Sequence, residues 1–390
     1  MGDAGGYPHR GVAGCNDHAY RDGATQSRHP VAITHLRDSS NGFMTGEAEE
    51  SVVEAVRGGD QAAFVAVVER YRRQLHVHCY RMLGSIDDAE DLVQETFLRA
   101  WRARASFEGR AVLRTWLYRI ATNACLNALE RAPRRVIPQD VGRPVTVDTP
   151  VSEARAQPTW APELPWLQPY PDSLLEPTAP TEDEPEAATI SRETIELVFL
   201  AALQHLSPRQ RAVLILRDAL HWSARETASL LDTSVASVNS AHQRARATMR
   251  TAQPRDRIGD VPPAERTDEE QATLQTSMRA WERADTNTMT ALLRDDARWA
   301  MPPAPLWFDG RAAIVRLYEH FPIDWQGRAF RMLPTAANRQ PAAAAYLRLR
   351  GGSDFSLSAI HVLRIEGAAI AEVTTFAPEL CRAFALPETI

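Results

Sequence analysis

The sequence predicts a multidomain chain: two all-α modules joined by a proline-rich acidic linker, then an α+β domain. Three observations predict it. Apolar residues recur at three- and four-residue steps over roughly 60–131 and again over 190–250. Between these stretches, Val136–Ala188 holds 11 of the 26 prolines and sustains no helical period. From about Thr267 two short helices give way to strands, the order of an α+β domain with an antiparallel sheet. The expected boundaries are 1–46 (a disordered N-terminal extension), 47–135, 136–188, 189–253 and 265–390.

Composition narrows the function. No apolar run approaches the roughly 20 residues of a membrane span, and the N-terminus has no apolar signal core. Four separated cysteines with no CxxC pair argue for a reducing, cytoplasmic setting without disulfides or zinc. His9, His18, His29 and His35 lack ligand spacing, so no metal or other cofactor is expected. Met44 directly precedes the first helical pattern and is a candidate start. All 44 basic residues are arginine, so any anion contact is made by a planar, permanently charged fork. The net charge of −6 is unevenly spread: Arg99–Arg135 carries +7 and Ser191–Arg255 +4, with −8 on Val136–Ile190 between them. Two basic patches flanking an acidic strip suit two contacts with one polyanion.

In the first module, Asp60 caps a long helix that runs to Met82, and Gly84-Ser85 ends it and opens the next. On that next helix Ile86, Ala89, Val93, Phe97 and Ala100 form one apolar stripe. Asp87, Asp91, Gln94, Glu95 and Leu98 fall on the opposite side, either a solvated acidic face or a docking face for a basic partner. A loop over 105–111 leads to a third helix, ended by Pro133, with Arg114, Trp116, Tyr118, Arg119 and Asn123 beside the core stripe. Aromatics among arginines suit single-stranded nucleic acid, whose bases stack on π-faces; half-buried packing is the plainer alternative.

The linker contains Trp160, Trp166, Leu167, Pro169 and Tyr170 within a proline-rich run. Aromatics are costly to leave in water, so this run is expected to dock on a domain surface as an extended segment. In the second module, Ser207-Pro208 starts a helix, Ser223–Glu226 is a capping box, and Asp232-Thr233 is a tight turn. The last helix places Val235, Val238, Ala241, Ala245 and Met249 inward, and Ser234, Ala236, Ser237, Asn239, Ser240, Gln243, Arg244 and Arg246 outward or flanking. This is helix-turn-helix spacing, which an ordinary helical hairpin shares.

Two combinations carry a family resemblance. Asp88–Phe97 followed by Leu113–Asn123 resembles region 2 of extracytoplasmic-function sigma factors of the sigma-70 family. Leu206–Leu214 with Ser234–Arg246 resembles region 4. The C-terminal third, with Trp299–Pro303 and Leu306–Arg311, resembles a SnoaL-like (NTF2-like) cone, an extension found in an actinobacterial group of these factors. Their linkers carry a Trp-Leu-Pro-type motif, to which Trp166-Leu167-Gln168-Pro169 is similar. The resemblance implies that the chain is no enzyme but a promoter-specificity subunit. The acidic helix would bind the beta-prime clamp helices of core RNA polymerase. Phe107, Glu108 and Arg110 in the loop, with Arg114, Trp116, Tyr118, Arg119 and Asn123, would hold minus-10 DNA, and the last helix would read the minus-35 element. Glu108, Val112 and His242 depart from the usual pattern, so the promoter sequence does not follow.

Two other readings stand beside this one. The cone could be an enzyme or a small-ligand domain, with His361 in a pocket walled by Trp299, Trp307, Tyr346 and Phe376. A helix-turn-helix repressor would explain the second module but leave the acidic and aromatic helices without a purpose. For the cone we expect docking on the sigma modules through the linker, tuning their activity.

Overall fold

The computed structural model describes residues 46–107, 113–150, 153, 161–175, 194–252, 267–320 and 329–390. The expectations for the N-terminal extension, Glu108, Arg110 and Trp160 lie outside them.

The first module is four helices: α1 (Gly46–Arg57), α2 (Gln61–Leu83), α3 (Ile86–Ala103) and α4 (Leu113–Leu129). Asp60 opens α2 by accepting the Ala62 and Ala63 N–H groups at 2.8 and 3.1 Å. Gly84 closes it in the left-handed region, φ 71°, which favours glycine. Ser85 Oγ accepts the Asp88 N–H at 3.2 Å and starts α3. The predicted stripe on α3 is buried, together with Thr96, whose hydroxyl donates to the Leu92 carbonyl at 2.6 Å.

The linker forms one helical turn, α5 (Pro138–Val141), and a two-residue strand, β1 (Pro144–Val145). The second module follows with α6 (Leu197–Gln204), α7 (Pro208–Leu214), a π-helical turn (Ile215–Ala219), α8 (Ala224–Leu230) and α9 (Val235–Ala252). Capping boxes at Ser207–Gln210 and Ser223–Glu226 open α7 and α8. On α9, Val238, Ala245 and Met249 are buried, but Val235 is 43% exposed. That corrects the predicted stripe: Val235 lies in the first turn, before α9 reaches its neighbours.

The C-terminal domain comprises α10 (Asp268–Arg283), α11 (Thr286–Ala291), β2 (Leu293–Ala300), β3 (Trp307–Asp309), α12 (Arg311–His320), β4 (Ala329–Ala337), β5 (Gln340–Arg348), β6 (Ser356–Glu366) and β7 (Ala369–Phe376). The sheet order is β1-β3-β2-β7-β6-β5-β4. The expected antiparallel sheet is in fact mixed. β4 to β7 form an antiparallel meander, but β2 pairs parallel with β7 and the linker strand β1 pairs parallel with β3. No hairpin joins β2 to β7, so nothing local imposes the antiparallel sense. The linker lies tightly on the domain here: a Cβ on Gly142 would meet the Pro305 carbonyl oxygen at 1.9 Å.

Both faces of this sheet are covered, each by a different core. Trp299, Ala343, Ala345, Leu363 and Val373 point into the domain's own interior. Ala342, Ala344, Tyr346, Ile360, Val362 and Phe376 point the other way, into a core shared with α2, α3, α4, α6, α7 and the linker. Because β5 is enclosed on both sides, it tolerates little side-chain volume, and its run Ala342–Ala345 is all alanine. Among the described residues no helix is long and apolar enough to cross a membrane.

Candidate nucleic-acid interface

On α3, Asp87, Asp91, Gln94 and Leu98 are exposed and Glu95 is half-exposed. Leu98, 51% exposed, lies at the C-terminal end of this face, one turn beyond Gln94 and Glu95. The carboxylates are partly organised. Glu95 accepts from Arg99 Nε at 2.7 Å, and Gln94 Nε2 donates to Glu90 at 3.0 Å. At the helix N-terminus, linker residue Gln168 accepts the Ile86 N–H at 2.7 Å and donates to Asp87 at 3.0 Å. Asp88 pairs with Arg135. The linker therefore ties the start of the acidic helix, a contact that pattern reading missed because its partners are 81 and 82 residues apart.

On α4, Arg119 and Asn123 are exposed, and Arg114 and Trp116 are half-buried. Tyr118 is not available for stacking on a base. It is 1% exposed, packed between His78 at 5.1 Å and Trp222 at 5.4 Å between ring centroids. Trp222 belongs to the second module, so the two helical modules close over this residue. Phe107 is also buried, stacked on Trp116 at 4.7 Å. Both expectations are corrected for one reason: an aromatic ring beside an apolar neighbour buries its area there.

Two buried arginines hold the modules together. Arg81 on α2 donates to the Thr194 carbonyl at 3.0 Å and to its hydroxyl at 2.5 Å. Arg211 on α7 donates to Gln204 Oε1 at 3.0 Å and to the Met82 carbonyl at the end of α2. Burial lowers both guanidinium pKa values to about 10, so both stay charged at neutral pH.

The outward residues of α9 and its cap (Ser234, Ala236, Ser237, Asn239, Ser240, Gln243, Arg244 and Arg246) are all exposed. Ser234 Oγ accepts the Ser237 N–H at 3.1 Å and so serves as the cap. Arg246 is not free: it donates to Asp218 at 3.0 and 3.2 Å, and His242 meets the same carboxylate at 2.7 Å. The exposed surface of α9 is small and polar in its first turns, then basic.

The linker residues Trp166, Leu167 and Pro169 are buried. Trp166 Nε1 donates to the Ala161 carbonyl at 2.7 Å, and the Ala161 N–H donates to Pro303 of the C-terminal domain at 2.9 Å. The central joint is the β4–β5 hairpin tip, which sequence reading did not single out. Asn338 and Arg339 form a two-residue turn with φ 57° and 59°. Asn338 is fully buried: its Oδ1 accepts the Tyr170 N–H at 2.7 Å, and its Nδ2 donates to Tyr80 Oη at 3.0 Å and the Ile195 carbonyl at 2.8 Å. Gln340 Oε1 accepts the Leu197 N–H at 3.1 Å at the start of α6. One turn thus meets the first module, the linker and the second module. The Asn-Arg pair between two apolar runs was the available signal, as a turn of left-handed residues.

Inside the C-terminal domain, Trp299 and His361 meet as expected, joined by Trp281 and Tyr318. His361 stacks on Trp281 at 5.1 Å, and Thr375 Oγ1 lies 2.8 Å from both His361 Nδ1 and Trp299 Nε1. Burial lowers the His361 pKa to about 4. The remaining cavity is about 20 Å³, and among its described lining residues there is no carboxylate. Trp307, Tyr346 and Phe376 are not in it. Trp307, on β3, donates to the linker's Gly142 carbonyl at 3.0 Å. Tyr346 and Phe376 fall on the outer face, since strand residues alternate; Tyr346 Oη donates to the Pro387 carbonyl at 2.9 Å. Among the described residues no group of three His, Cys, Asp or Glu could hold a metal ion.

The fold and these surfaces define a class: two helical modules, one with an acidic face and one with a helix-turn-helix, clasped by an α+β cone. Comparison with known proteins agrees. Residues 67–135 match the model of sigma-70 region 2, 196–249 that of sigma-70 region 4, and 274–373 that of a SnoaL-like domain. The chain is 42% identical over 337 residues to the Mycobacterium tuberculosis ECF RNA polymerase sigma factor SigG, covering 86% of each. It is 32% identical over 199 residues to the Escherichia coli ECF RNA polymerase sigma-E factor, covering 51% of this chain and 90% of that one. The crystal structure of M. tuberculosis SigJ shares the fold: TM-score 0.54, 20% identity, 83% of this chain and 100% of that one covered. The chain belongs to the extracytoplasmic-function RNA polymerase sigma factors, which direct transcription initiation, and it carries a SnoaL-like domain.

Proposed function

We propose that this sigma factor works in the cytoplasm and docks on the beta-prime clamp helices of core RNA polymerase through Asp87, Asp91, Gln94, Glu95 and Leu98. The observation that carries this is the exposed Leu98 on the same helix face as the acidic Asp87, Asp91 and Glu95. Interfaces of this kind join an apolar centre to a charged margin that sets the partner's sign. Asp91→Arg and Glu95→Arg should each abolish binding to core polymerase, with the helical circular-dichroism spectrum unchanged. Normal binding by both variants would sink the assignment.

For DNA, α4 offers Arg114, Trp116, Arg119 and Asn123 to the minus-10 element. The first turns of α9 offer Ser234, Ala236, Ser237, Asn239, Ser240, Gln243 and Arg244 to minus-35 base edges, with Arg246 nearer the phosphates. The two elements lie roughly 25 base pairs apart, about 85 Å at 3.4 Å per pair. Tyr118 and Trp222 hold the two modules side by side at 5.4 Å. This arrangement therefore has to open for both elements to be read together. Asn338 and Gln340 clamp it shut from the cone, which supports a tuning role for the SnoaL-like domain.

A further inference from the structure

Val235 opens α9, and its side chain stays 43% exposed with both helical modules, the linker and the cone all in place. Among the described residues of the second module, 194–252, it is the one large hydrophobic side chain left exposed. A single apolar residue on a surface is ordinary, so its place is what counts. Val235 lies in the first turn of the second helix of the helix-turn-helix, and the N-terminal residues of such a helix are the ones that meet base edges. Its neighbours Ser234, Ala236 and Ser237 are exposed and too short to shield it.

The side chain is also held still. Ser234 Oγ accepts the Ser237 N–H at 3.1 Å and donates to Ser237 Oγ at 2.9 Å, so the cap closes the first turn on itself. Valine branches at Cβ, so on a helix its two methyl groups keep one preferred rotamer and have little freedom left to lose on binding. One turn further along the same side is the exposed Asn239, whose amide can bond the major-groove edge of adenine twice. Exposed arginines Arg244, Arg246 and Arg250 follow along the helix. Val235 is therefore the apolar part of a surface that is otherwise polar and then basic. The major groove presents hydrogen-bond donors and acceptors at every base pair, but a single kind of apolar group, the 5-methyl of thymine.

We infer that Val235 reads a thymine, packing its methyl groups against the 5-methyl of one base in the minus-35 element. This contact rests on α9 lying in the minus-35 major groove, and it adds a methyl-specific preference to the polar contacts assigned there. It is independent of polymerase docking through α3. Taking one methyl-sized group out of water is worth roughly fourfold in affinity.

The test uses the full-length chain with core RNA polymerase and duplexes selected from a randomised pool. Deoxyuridine replaces thymine one position at a time, which removes the 5-methyl and leaves base pairing intact. One position in the minus-35 element should lose roughly fourfold in affinity. In Val235→Ala that position should bind thymine and deoxyuridine equally, whereas Val235→Ile should keep the preference. Arg244→Ala is the control for the helix and should weaken binding. If Arg244→Ala weakens binding but no thymine shows the preference, or the preference persists in Val235→Ala, Val235 makes no such contact and α9 keeps its place in the groove. If no duplex is selected, or Arg244→Ala and Val235→Ala both bind as the parent does, the thymine contact and the minus-35 reading of α9 fall together.

Discussion

Replacing Asn338 tests the joint between cone and sigma modules most directly. In Asn338→Ala three groups lose their partner: the Tyr170 N–H, the Ile195 carbonyl, and Tyr80 Oη, which keeps its own donation to Gln168 at 2.7 Å. A buried group left unsatisfied costs about 1–3 kcal/mol. The first two therefore cost roughly 2–6 kcal/mol together, and alanine at φ 57° adds about 1 kcal/mol. The penalty falls on docking, because undocking returns all three groups to water. A loss of about 4 kcal/mol weakens docking roughly a thousandfold. Hydrogen exchange on the full-length chain measures it: amides at Tyr170 and the first turn of α6 should lose protection, while β6 and β7, whose inner face has a separate core, should hold theirs. Asn338→Gly separates the causes, since it removes the hydrogen bonds without the backbone strain. Unchanged protection at Tyr170 in both variants would refute this account of the joint.

Gly84→Ala should destabilise the first module by about 2 kcal/mol or more in urea unfolding, since φ is 71° and the new Cβ would meet Leu167 Cδ1 at 2.8 Å. Asp218→Ala should release Arg246 and His242 and strengthen binding of α9 to DNA, raising the log–log salt slope by about one in a titration. Acid should destabilise the cone. His361 stays neutral down to about pH 4 when folded but protonates near 6.5 when unfolded, so stability falls as pH drops through that window and levels off below it. The loss is roughly 3 kcal/mol, and His361→Phe should flatten it in melts between pH 7 and 4.

Much of the helical framework was legible because its signals are local. Asp60, Ser85, Ser207 and Ser223 cap helices through groups two or three residues away, so each could be read from a short window. The buried stripe and acidic face of α3 follow from a period of 3.6, and the exposed face of α9 does likewise. The pocket expectation failed for Tyr346 and Phe376 because alternation says only that neighbours face opposite sides. Which side holds the cavity depends on what covers the sheet. The three-residue β3 and two-residue β1 are too short to show a period, so the linker's place on the sheet edge was not legible.

By itself, then, the sequence determined the helices, the meander, the acidic face of α3 and the polar face of α9, since each is set within one or two turns of chain. Only the tertiary structure decided that Trp222 buries Tyr118, that Gln168 binds the start of α3, and that Asn338 joins three segments. The physical reason is that these are pairings between complete surfaces. Their partners are 81 to 258 residues apart, and neither partner's own neighbourhood specifies the other.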